Sequence, residues 1–337
     1  MKKENKFKAA IIGCGRIGIE EKIYNKKVRP GSHAGSYIIN EKIDLVALCD
    51  PDDQRLAIAK KSYPRVKLYF SVEKMVEENI LDIISIASPT KYHHQNVLQA
   101  AKGKPKVILC EKPIAYSLKE AEEIIDVCKK NNIQLFINHQ RRFDPILQNW
   151  SRKIRAGFLG EILQGSAYYY NGLFNSGTHL VDLLRMFLGE PEWVWGIYNK
   201  KTSWVENDPN IDGLIAFGGE VIISLQPLSK NYGYFGFSIF GENGMLNVVN
   251  GAFEIQYRKK IKDKNYKGFF KLSPKIFKEG QPRSFFRNNI AHIVSYLEKK
   301  AKPASTGEDG IKDLAILLAL KSSADNGSEK IYLKNKI

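Results

Sequence analysis

The stretch Ala9-Ala10-Ile11-Ile12-Gly13-Cys14-Gly15-Arg16-Ile17-Gly18 decides the fold of this chain. Its first four residues are apolar, as in a parallel strand that is buried on both faces. The glycines, spaced G-x-G-x-x-G, allow a tight turn and let a pyrophosphate approach bare backbone at the N-terminus of the next helix. The stretch therefore predicts a dinucleotide site. The residues predicted to contact the dinucleotide here are Gly13, Gly15, Arg16, Ile17 and Gly18.

A carboxylate, Asp50, follows the next apolar segment at residues 45–49. In a dinucleotide site such an acid accepts hydrogen bonds from the adenosine ribose hydroxyls, which favours NAD and makes NADP the less suitable cofactor. The interval from Gly18 to Asp50 is longer than the usual spacing of about 20 residues, so we expect an insertion at residues 20–31, which are polar and basic. Two interpretations stay open for it: a loop near the pyrophosphate, or a solvated surface excursion without a role.

Strand and helix patterns alternate along the first 142 residues. Beyond the two strands above, the predicted strands cover residues 66–69, 83–87, 106–110 and 134–138. This β-α-β-α order is typical of a parallel sheet, and ligands of such sheets bind beyond the carboxyl ends of the strands. The residues predicted to lie on this rim, beside the cofactor, are Ser88, Pro89, Thr90, His93, Glu111 and Lys112.

The pattern changes near residue 144. The strands predicted there cover residues 161–170, 193–198, 213–217, 221–225 and 235–240. They alternate apolar and polar residues, as in an antiparallel sheet with one solvated face. Between the first two strands lies an amphipathic helix, from Thr178 to Leu188, which Gly189 ends.

These patterns predict an α/β chain of two domains. We expect a dinucleotide-binding domain at residues 1–142 and an α+β domain at residues 143–337. The last predicted helix, residues 308–324, is expected to pack back on the first domain. A chain of 337 residues with 43% hydrophobic content is long enough for two ordinary cores.

Composition narrows the class of protein further. The sequence has no apolar run near the roughly 20 residues of a membrane span, and its first eight residues do not read as a signal peptide. We therefore expect a cytoplasmic protein without a membrane partner. Cys14, Cys49, Cys110 and Cys128 show no C-x-x-C spacing, so neither disulfides nor a metal site are expected.

The formal net charge of +16 favours an anionic small substrate, such as a nucleotide-linked sugar. It is equally compatible with a compositional habit that implies no partner. The densest basic stretch, residues 257–267, is followed by Phe269 and Phe270, and interleaved aromatic and basic residues can bind nucleic acid. We interpret it instead as an edge strand and loop that lysine keeps soluble, and we expect no nucleic-acid partner.

Five motifs are spread over nearly the whole chain. They are Gly13-Cys14-Gly15-Arg16-Ile17-Gly18, Ser88-Pro89-Thr90 with His93, Cys110-Glu111-Lys112-Pro113, Asn138-His139-Gln140-Arg141-Arg142-Phe143, and Gly177-Thr178-His179-Leu180-Val181-Asp182. With them the chain resembles the Gfo/Idh/MocA family of NAD(P)-dependent sugar oxidoreductases. The resemblance implies a Rossmann domain followed by a domain with a large open, mostly antiparallel sheet that often forms the subunit contact. It further implies a nicotinamide cofactor, which Asp50 favours as NAD, a sugar substrate, which the charge extends to a nucleotide-sugar, and a homodimer or homotetramer.

The same resemblance assigns two catalytic roles. Lys112 is similar to the family lysine that bonds the reacting hydroxyl beside the nicotinamide, and the Lys112–Pro113 peptide is expected to be cis. His179 is similar to the family's catalytic histidine, and an imidazole titrates near working pH, as a proton acceptor must. The alternatives are a solvated surface lysine and a histidine that only caps its own helix.

Asn175 stands where many family members carry Asp, four residues before His179. An amide cannot take a proton, so two functions stay open: a sugar oxidoreductase in which His179 and Lys112 suffice, or a catalytically weakened NAD-binding sensor or assembly protein. In the first case Asn175 can orient a sugar hydroxyl, because it offers a donor and an acceptor. The further substrate contacts that we expect are Arg141, Arg142 and Tyr170, with one of the two arginines paired to an acid.

Overall fold

The structure is a computed structural model, and it describes residues 6–20 and 26–333. Within them the chain forms two units. The first runs to Phe143 and also includes Arg283–Leu314, and the second comprises Asp144–Pro282 and the part of the chain from Ala315 onward. Part of the predicted insertion, residues 21–25, lies outside the described residues.

In the described part of the first unit, six parallel strands form one sheet in the order β3-β2-β1-β4-β5-β6. The strands are β1 (Phe7–Ile12), β2 (Ile43–Cys49), β3 (Lys67–Tyr69), β4 (Ile83–Ile86), β5 (Val107–Cys110) and β6 (Gln134–Ile137). The last four residues of β1 and all four of β4 are buried, because helices cover both faces of a parallel sheet. This order is that of the Rossmann dinucleotide fold, which confirms the predicted fold class.

Helices connect these strands. They are α1 (His33–Ile38), α2 (Asp53–Ser62), α3 (Val72–Glu78), α4 (His93–Lys102) and α5 (Leu118–Lys130). Four begin at a side chain that accepts a backbone N–H, and the capping residues are Ser32, Asp52, Ser71 and Ser117. Such a cap stabilises a helix by about 1 kcal/mol.

The insertion interrupts the first helix of the fold. Residues 15–19, which include Gly15 and Gly18, form a single turn, and α1 resumes on that turn after the insertion. The backbone N–H of His33 donates to the carbonyl of Ile17 at 3.0 Å, and that of Ala34 donates to the carbonyl of Gly18 at 2.9 Å. The long interval before the acid of β2 therefore comes from residues placed inside a helix. Whether the insertion lies near the pyrophosphate stays a prediction.

A mixed sheet forms the core of the second unit, in the order β14-β13-β12-β11-β7-β10-β9-β8-β16, with β15 paired to β13. Its strands are β7 (Ile162–Tyr170), β8 (Pro191–Tyr198), β9 (Ile211–Phe217), β10 (Val221–Leu228), β11 (Gly236–Gly241), β12 (Gly244–Val249), β13 (Glu254–Lys262), β14 (Phe270–Leu272), β15 (Phe277–Glu279) and β16 (Ile331–Tyr332). Two helices precede and follow β7, namely α6 (Pro145–Arg155) and α7 (Thr178–Leu188). The bounds of α7 agree with the prediction, and Gly189 ends it with φ of +97°.

Pairing in this sheet is mostly antiparallel, as predicted. The exception is β7 with β10, which run parallel with Gln164 opposite Ile222. A long connection through α7, β8 and β9 separates these two strands, which gives the chain room to return in the same direction. Burial alternates along β10, where Val221 and Ile223 are buried and Ile222 is exposed, so the sheet keeps one solvated face.

The division of the chain differs from the prediction in its last third. We expected residues 143–337 to form one domain, whereas residues 283–314 belong to the first unit. The reason is α8 (Phe285–Leu297), whose Ile290 and Ile293 are buried in the core of the first unit. The last helix, α9 (Gly307–Asp325), begins in the first unit and ends in the second. Thr306, which precedes this helix, forms an isolated bridge with Phe136 of β6. The packing expected for residues 308–324 stays a prediction.

All four cysteines are free and buried in the structure. Among the residues that the structure describes, no helix combines the length and the apolar character that a membrane span requires. The cytoplasmic location stays a prediction.

Candidate active site

The glycine turn of the first unit leaves its backbone bare. Gly13 has φ of +103°, and a Cβ on it would lie 2.6 Å from the backbone nitrogen of Ser88. A Cβ on Gly18 would lie 2.0 Å from the carbonyl oxygen of Gly13. Neither position tolerates a side chain, so the ends of β1 and β4 meet in van der Waals contact. This close approach brings Ser88 to the glycine turn, on the strand-end rim where the sequence places it.

Asp50 is held against the same turn. Its Oδ2 accepts a hydrogen bond from the Cys14 amide at 2.7 Å, and its Oδ1 accepts one from the Asp52 amide at 3.0 Å. A carboxylate oxygen has two lone pairs, so each oxygen can accept a second bond. Those remaining positions suit the two hydroxyls of an adenosine ribose. The bare turn and the anchored acid together fit a dinucleotide with a free ribose diol.

A cation that the sequence analysis missed lies at this turn. The guanidinium nitrogen Nη1 of Arg55 is 2.7 Å from the position that a Cβ on Gly15 would take. The Arg55 side chain is 48% exposed, and its Nε lies 3.8 Å from a carboxylate oxygen of Asp52. A guanidinium here can contact the phosphates or the adenine of a dinucleotide. The one available signal was an arginine five residues after the acid, in the first turn of α2.

The end of β4 is fixed by His93. Its Nδ1 lies 2.9 Å from the carbonyl of Pro113, and its Nε2 lies 2.9 Å from the carbonyl of Ser88. Burial lowers the pKa of His93, and these carbonyls and the charge of Glu111 oppose that shift without reversing it. Because the ring is fully buried, the contacts seen for His93 are with protein backbone. Its predicted contact with the cofactor, like those of Pro89 and Thr90, stays a prediction.

The Glu-Lys-Pro motif follows β5 directly. The Lys112–Pro113 peptide is cis, as expected. Glu111 is buried, and its Oε1 accepts hydrogen bonds from His33 Nε2 at 2.9 Å and from Asn138 Nδ2. Lys112 itself is partly exposed. The motif therefore combines a buried, fixed carboxylate with a partly exposed lysine, and the roles of both towards a cofactor stay predictions.

The second unit contains the other predicted catalytic pair. A π-helical turn, Leu173–Gly177, runs directly into α7. It carries Asn175, which is exposed, and α7 carries His179, which is 9% exposed. Turns of this wide type often occur at functional sites. The structure thus places the two residues on one continuous helical run.

Asp208 anchors this turn, and the sequence analysis missed it. Its Oδ1 accepts a hydrogen bond from the Phe174 amide at 2.8 Å, and its Oδ2 accepts one from the Asn175 amide at 2.9 Å. Gly172, with φ of +92°, precedes the turn, and a Cβ there would lie 2.1 Å from Asp208 Oδ2. The carboxylate thus satisfies two amides that the turn leaves without helical partners. No local sequence pattern signals a contact across more than 30 residues.

The end of β7 is tied to the same turn. The Tyr170 amide donates to Ser176 Oγ at 3.2 Å, and the Ser176 hydroxyl donates to the Tyr170 carbonyl. The preceding residue, Tyr169, is buried, and its hydroxyl bonds the backbone of Ile211. Tyr170 therefore has a fixed backbone beside Asn175, while its contact with a substrate stays a prediction.

The two arginines of the first unit have different surroundings. Arg142 Nη1 lies 3.1 Å from Asp309 Oδ1, so this arginine is paired to an acid. The guanidinium of Arg141 lies 5.4 Å from the centre of the Phe285 ring, within cation–π range. Arg141 and Lys112 belong to the first unit, and Asn175, Tyr170 and His179 belong to the second.

The fold and the bare glycine turn define a dinucleotide-binding protein. Residues 7–139 match the model of an oxidoreductase family with an NAD-binding Rossmann fold, and residues 166–247 match the model of the GFO/IDH/MocA C-terminal domain. The chain belongs to the Gfo/Idh/MocA family, and its cofactor is NAD.

Sequence relatives include sugar dehydrogenases. The chain is 22% identical to the D-apiose dehydrogenase of Paraburkholderia graminis, over 96% of this chain and 88% of that protein. It is 30% identical to the D-glucoside 3-dehydrogenase of Escherichia coli, over 55% of each chain. Among solved structures, the WlbA dehydrogenase of Bordetella pertussis in complex with NADH and UDP-GlcNAcA has the same fold. The TM-score is 0.78 at 20% identity, over 98% of this chain and 99% of that one.

Proposed function

We propose that this protein transfers a hydride between NAD and a ring carbon of a sugar or nucleotide-sugar, with Lys112 and His179 handling the proton. The observation that carries the proposal is the Glu111-Lys112-Pro113 motif, which follows β5 of a Rossmann sheet with its Lys-Pro peptide cis. Sugar dehydrogenases among the relatives support the substrate class. NAD, when bound, accepts or gives the hydride at the nicotinamide C4.

The residues of the chain supply binding and proton transfer. When the sugar is oxidised, the carbon loses a hydride and its hydroxyl loses a proton, which the His179 imidazole accepts and later releases to water. Lys112 donates a hydrogen bond to the same oxygen and stabilises the negative charge that develops on it. Asn175 holds a neighbouring hydroxyl of the sugar, since an amide can donate and accept but cannot take the proton.

The proposed substrate is anionic, and a nucleotide-sugar is the leading candidate. The net charge of +16 supports this choice, because a positive field raises the local concentration of an anionic ligand. Arg141 and Arg142 are the residues proposed to bind a phosphate or carboxylate of the substrate. The ion pair with Asp309 orients the Arg142 guanidinium. Neutral sugars and nucleotide-sugars can be compared directly under varied salt, because only an anionic ligand should lose affinity as ionic strength rises.

A second candidate rests on Asn175. Without the carboxylate that many family members carry there, the protein is a candidate NAD-binding sensor or assembly partner with weakened catalysis. NAD binding without turnover on any sugar supports this candidate. Turnover of a sugar at an ordinary enzymatic rate, above about 1 per second, excludes it.

We also propose a homodimer or homotetramer, formed through the solvated face of the sheet in the second unit. On that face Ile222 of β10 and Phe240 of β11 are 39% and 37% exposed, beside Gln164 of β7. Apolar side chains on an open sheet face are suited to a subunit contact. Light scattering of the wild type and of an Ile222→Lys, Phe240→Lys double variant tests this, and an unchanged mass contradicts it.

The test of the proposed reaction is reduction of NAD, followed by absorbance at the NADH band, with a panel of neutral sugars, sugar acids and nucleotide-sugars. Lys112→Met should nearly abolish turnover and leave NAD binding intact, because Met keeps the length of the chain and removes only the amine. Lys119→Met, at an exposed position of α5, is the matched control. Wild-type rates from Lys112→Met contradict the assignment.

A further inference from the structure

A chain of buried polar side chains runs through the first unit and reaches the Glu-Lys-Pro motif. The Tyr37 hydroxyl lies 2.6 Å from Ser85 Oγ, and Ser85 Oγ lies 2.9 Å from His33 Nδ1. His33 Nε2 lies 2.9 Å from Glu111 Oε1. Tyr37, Ser85 and His33 are fully buried and Glu111 is 7% exposed. Burying polar groups of this kind costs free energy unless each is hydrogen-bonded. We therefore expect this arrangement to have a role in the stability of the fold or in the candidate site.

The chain continues beyond the carboxylate. Asn138 Nδ2 donates to Glu111 Oε1, and Asn289 Nδ2 of α8 donates to Asn138 Oδ1. Asn138 is 2% exposed and Asn289 is fully buried. These contacts connect α1, β4, the residues that directly follow β5 and β6, and α8 of one unit. We call the six side chains, Tyr37, Ser85, His33, Glu111, Asn138 and Asn289, the buried relay.

Chemistry fixes the direction of these hydrogen bonds. A carboxylate only accepts, so His33 must donate from Nε2 to Glu111. In the neutral ring Nδ1 then accepts, so the Ser85 hydroxyl donates to it, and the Tyr37 hydroxyl donates to Ser85. Burial raises the pKa of Tyr37, which therefore keeps its proton. Every donor in the relay points towards Glu111.

Glu111 is held as an anion. Burial raises the pKa of its carboxyl, but the hydrogen bond from His33, the charge that the His33 ring carries when it is protonated, the charge of Lys112 and the bond from Asn138 outweigh burial, so the pKa is lowered overall. Among the described residues, the ionisable groups that interact with this carboxylate include His33, Lys112, His93 and Cys110. Of these, Lys112 is next to it in the chain and is partly exposed.

The buried relay is also connected to the glycine turn, through the backbone of His33. The backbone N–H of His33 donates to the carbonyl of Ile17 in the glycine turn at 3.0 Å, while its ring donates to Glu111. The His33 ring is further fixed by an edge contact with Phe286, with ring centres 5.2 Å apart. One residue therefore connects the backbone of the glycine turn to the carboxylate before Lys112.

We propose that His33 is a positioning residue for Lys112: through the oriented Glu111 carboxylate, the buried relay fixes the place and the charge state of the Lys112 amine relative to the glycine turn. The role rests on the proposed function of Lys112 and extends it to residues that do not touch the substrate. A carboxylate beside an ammonium favours the charged form, so loss of the Glu111 charge should make the amine lose its proton at lower pH.

The test measures the titration of the Lys112 amine directly and needs no substrate. Competitive acetylation of the intact protein across pH 7 to 11, read by peptide mass spectrometry, gives the pH at which Lys112 becomes reactive. Glu111→Gln keeps the shape of the side chain and should move this titration down by about one pH unit. His33→Leu removes the donor and should move it in the same direction, whereas His33→Gln, which retains a donor, should stay near the wild type.

The control is a second His–Glu pair in the same unit. His94 Nε2 lies 2.6 Å from Glu123 Oε2 near the surface, between α4 and α5. His94→Gln and Glu123→Gln should leave the titration of Lys112 unchanged. NADH fluorescence and the thermal midpoint report whether each variant is folded, and if His33→Leu does not fold, Glu111→Gln and His33→Gln carry the test.

A relay that only stabilises the fold would lower the thermal midpoint of Glu111→Gln and leave the titration of Lys112 where it is in the wild type, and that result overturns the proposal. The outcome is separable from that of the proposed function. Absence of turnover on every sugar, with a displaced titration in Glu111→Gln, leaves the relay standing. Turnover on a sugar, together with an unchanged titration of Lys112 in Glu111→Gln, contradicts the positioning role of the relay and leaves the proposed function standing.

Discussion

The amide of Cys14 donates a hydrogen bond of 2.7 Å to Oδ2 of Asp50, so the acid at the end of β2 is tied to the glycine turn after β1. This contact joins residues that are 36 positions apart, across the insertion. It orients the carboxylate on the turn that receives the pyrophosphate. Cofactor choice therefore depends on this acid and on the groups next to it.

Asp50→Ala should weaken NAD binding by about tenfold or more, because hydrogen bonds to a charged group contribute about 1.5–3 kcal/mol. NADP binding should weaken less or improve, since a carboxylate repels the 2′-phosphate. Titration of both cofactors by fluorescence measures the effect. Equal affinities for NAD and NADP in the wild-type protein would contradict the role given to Asp50.

Arg55→Ala should weaken the binding of both dinucleotides, because its guanidinium lies against the glycine turn. The loss should shrink as salt is raised if the contact is with a phosphate. Arg65→Ala, at an exposed position beyond α2, removes the same charge elsewhere and is the control. Equal affinities of Arg55→Ala and Arg65→Ala would place Arg55 outside the site.

Asp208→Ala should lower kcat by about tenfold or more while the protein stays folded, since a misplacement of about 1 Å in a reacting group can cost 10²-fold. The physical reason is that two amides of the turn carrying Asn175 lose their acceptor. Asp208→Asn keeps one acceptor oxygen and should lose less. Glu206→Ala, an exposed neighbour, serves as control. Full activity of Asp208→Ala would contradict a catalytic role for the turn that Asp208 anchors.

The stabilisation that Glu111 gives to the fold should disappear in acid. Its pKa is lower in the folded protein than the ordinary value near 4.3. The contribution of its charge is therefore fully present above that value and is lost as pH falls through the folded pKa. The difference in thermal midpoint between the wild type and Glu111→Gln should be largest at pH 7 and shrink towards pH 4. A difference that stays constant or grows in acid would contradict the ionised carboxylate.

Local patterns predicted the parts of the fold that depend on neighbours in sequence. The strand at β1 and both ends of α7 each follow from a few adjacent residues, and each agrees with the structure. The parallel pairing of β7 with β10 and the place of α8 in the first unit were not predictable in this way. Both depend on which distant surface the apolar side of the strand or helix covers. The hydrophobic period of 3.6 residues in a helix or 2 in a strand does not specify that surface.

The candidate site shows the same division. The sequence analysis found the residues that lie in motifs or at strand ends, such as Asp50 and Lys112. It missed Arg55, Asp208 and the link from His33 to Glu111, which spans 78 positions. Each of these is a single polar side chain without a periodic neighbour, and only the folded chain shows what it contacts.

The most direct test of the central claim is the turnover of His179→Ala on the sugar that the wild type uses. If the His179 imidazole accepts the hydroxyl proton, its loss should slow turnover by roughly 10²- to 10⁴-fold while NAD binding is kept. Asn175→Ala should lose less, because an amide only orients. Asn175→Asp adds a negative charge four residues before His179 and should shift the pH–rate profile to higher pH. Full activity of His179→Ala, measured as NADH formed per second, would contradict the account.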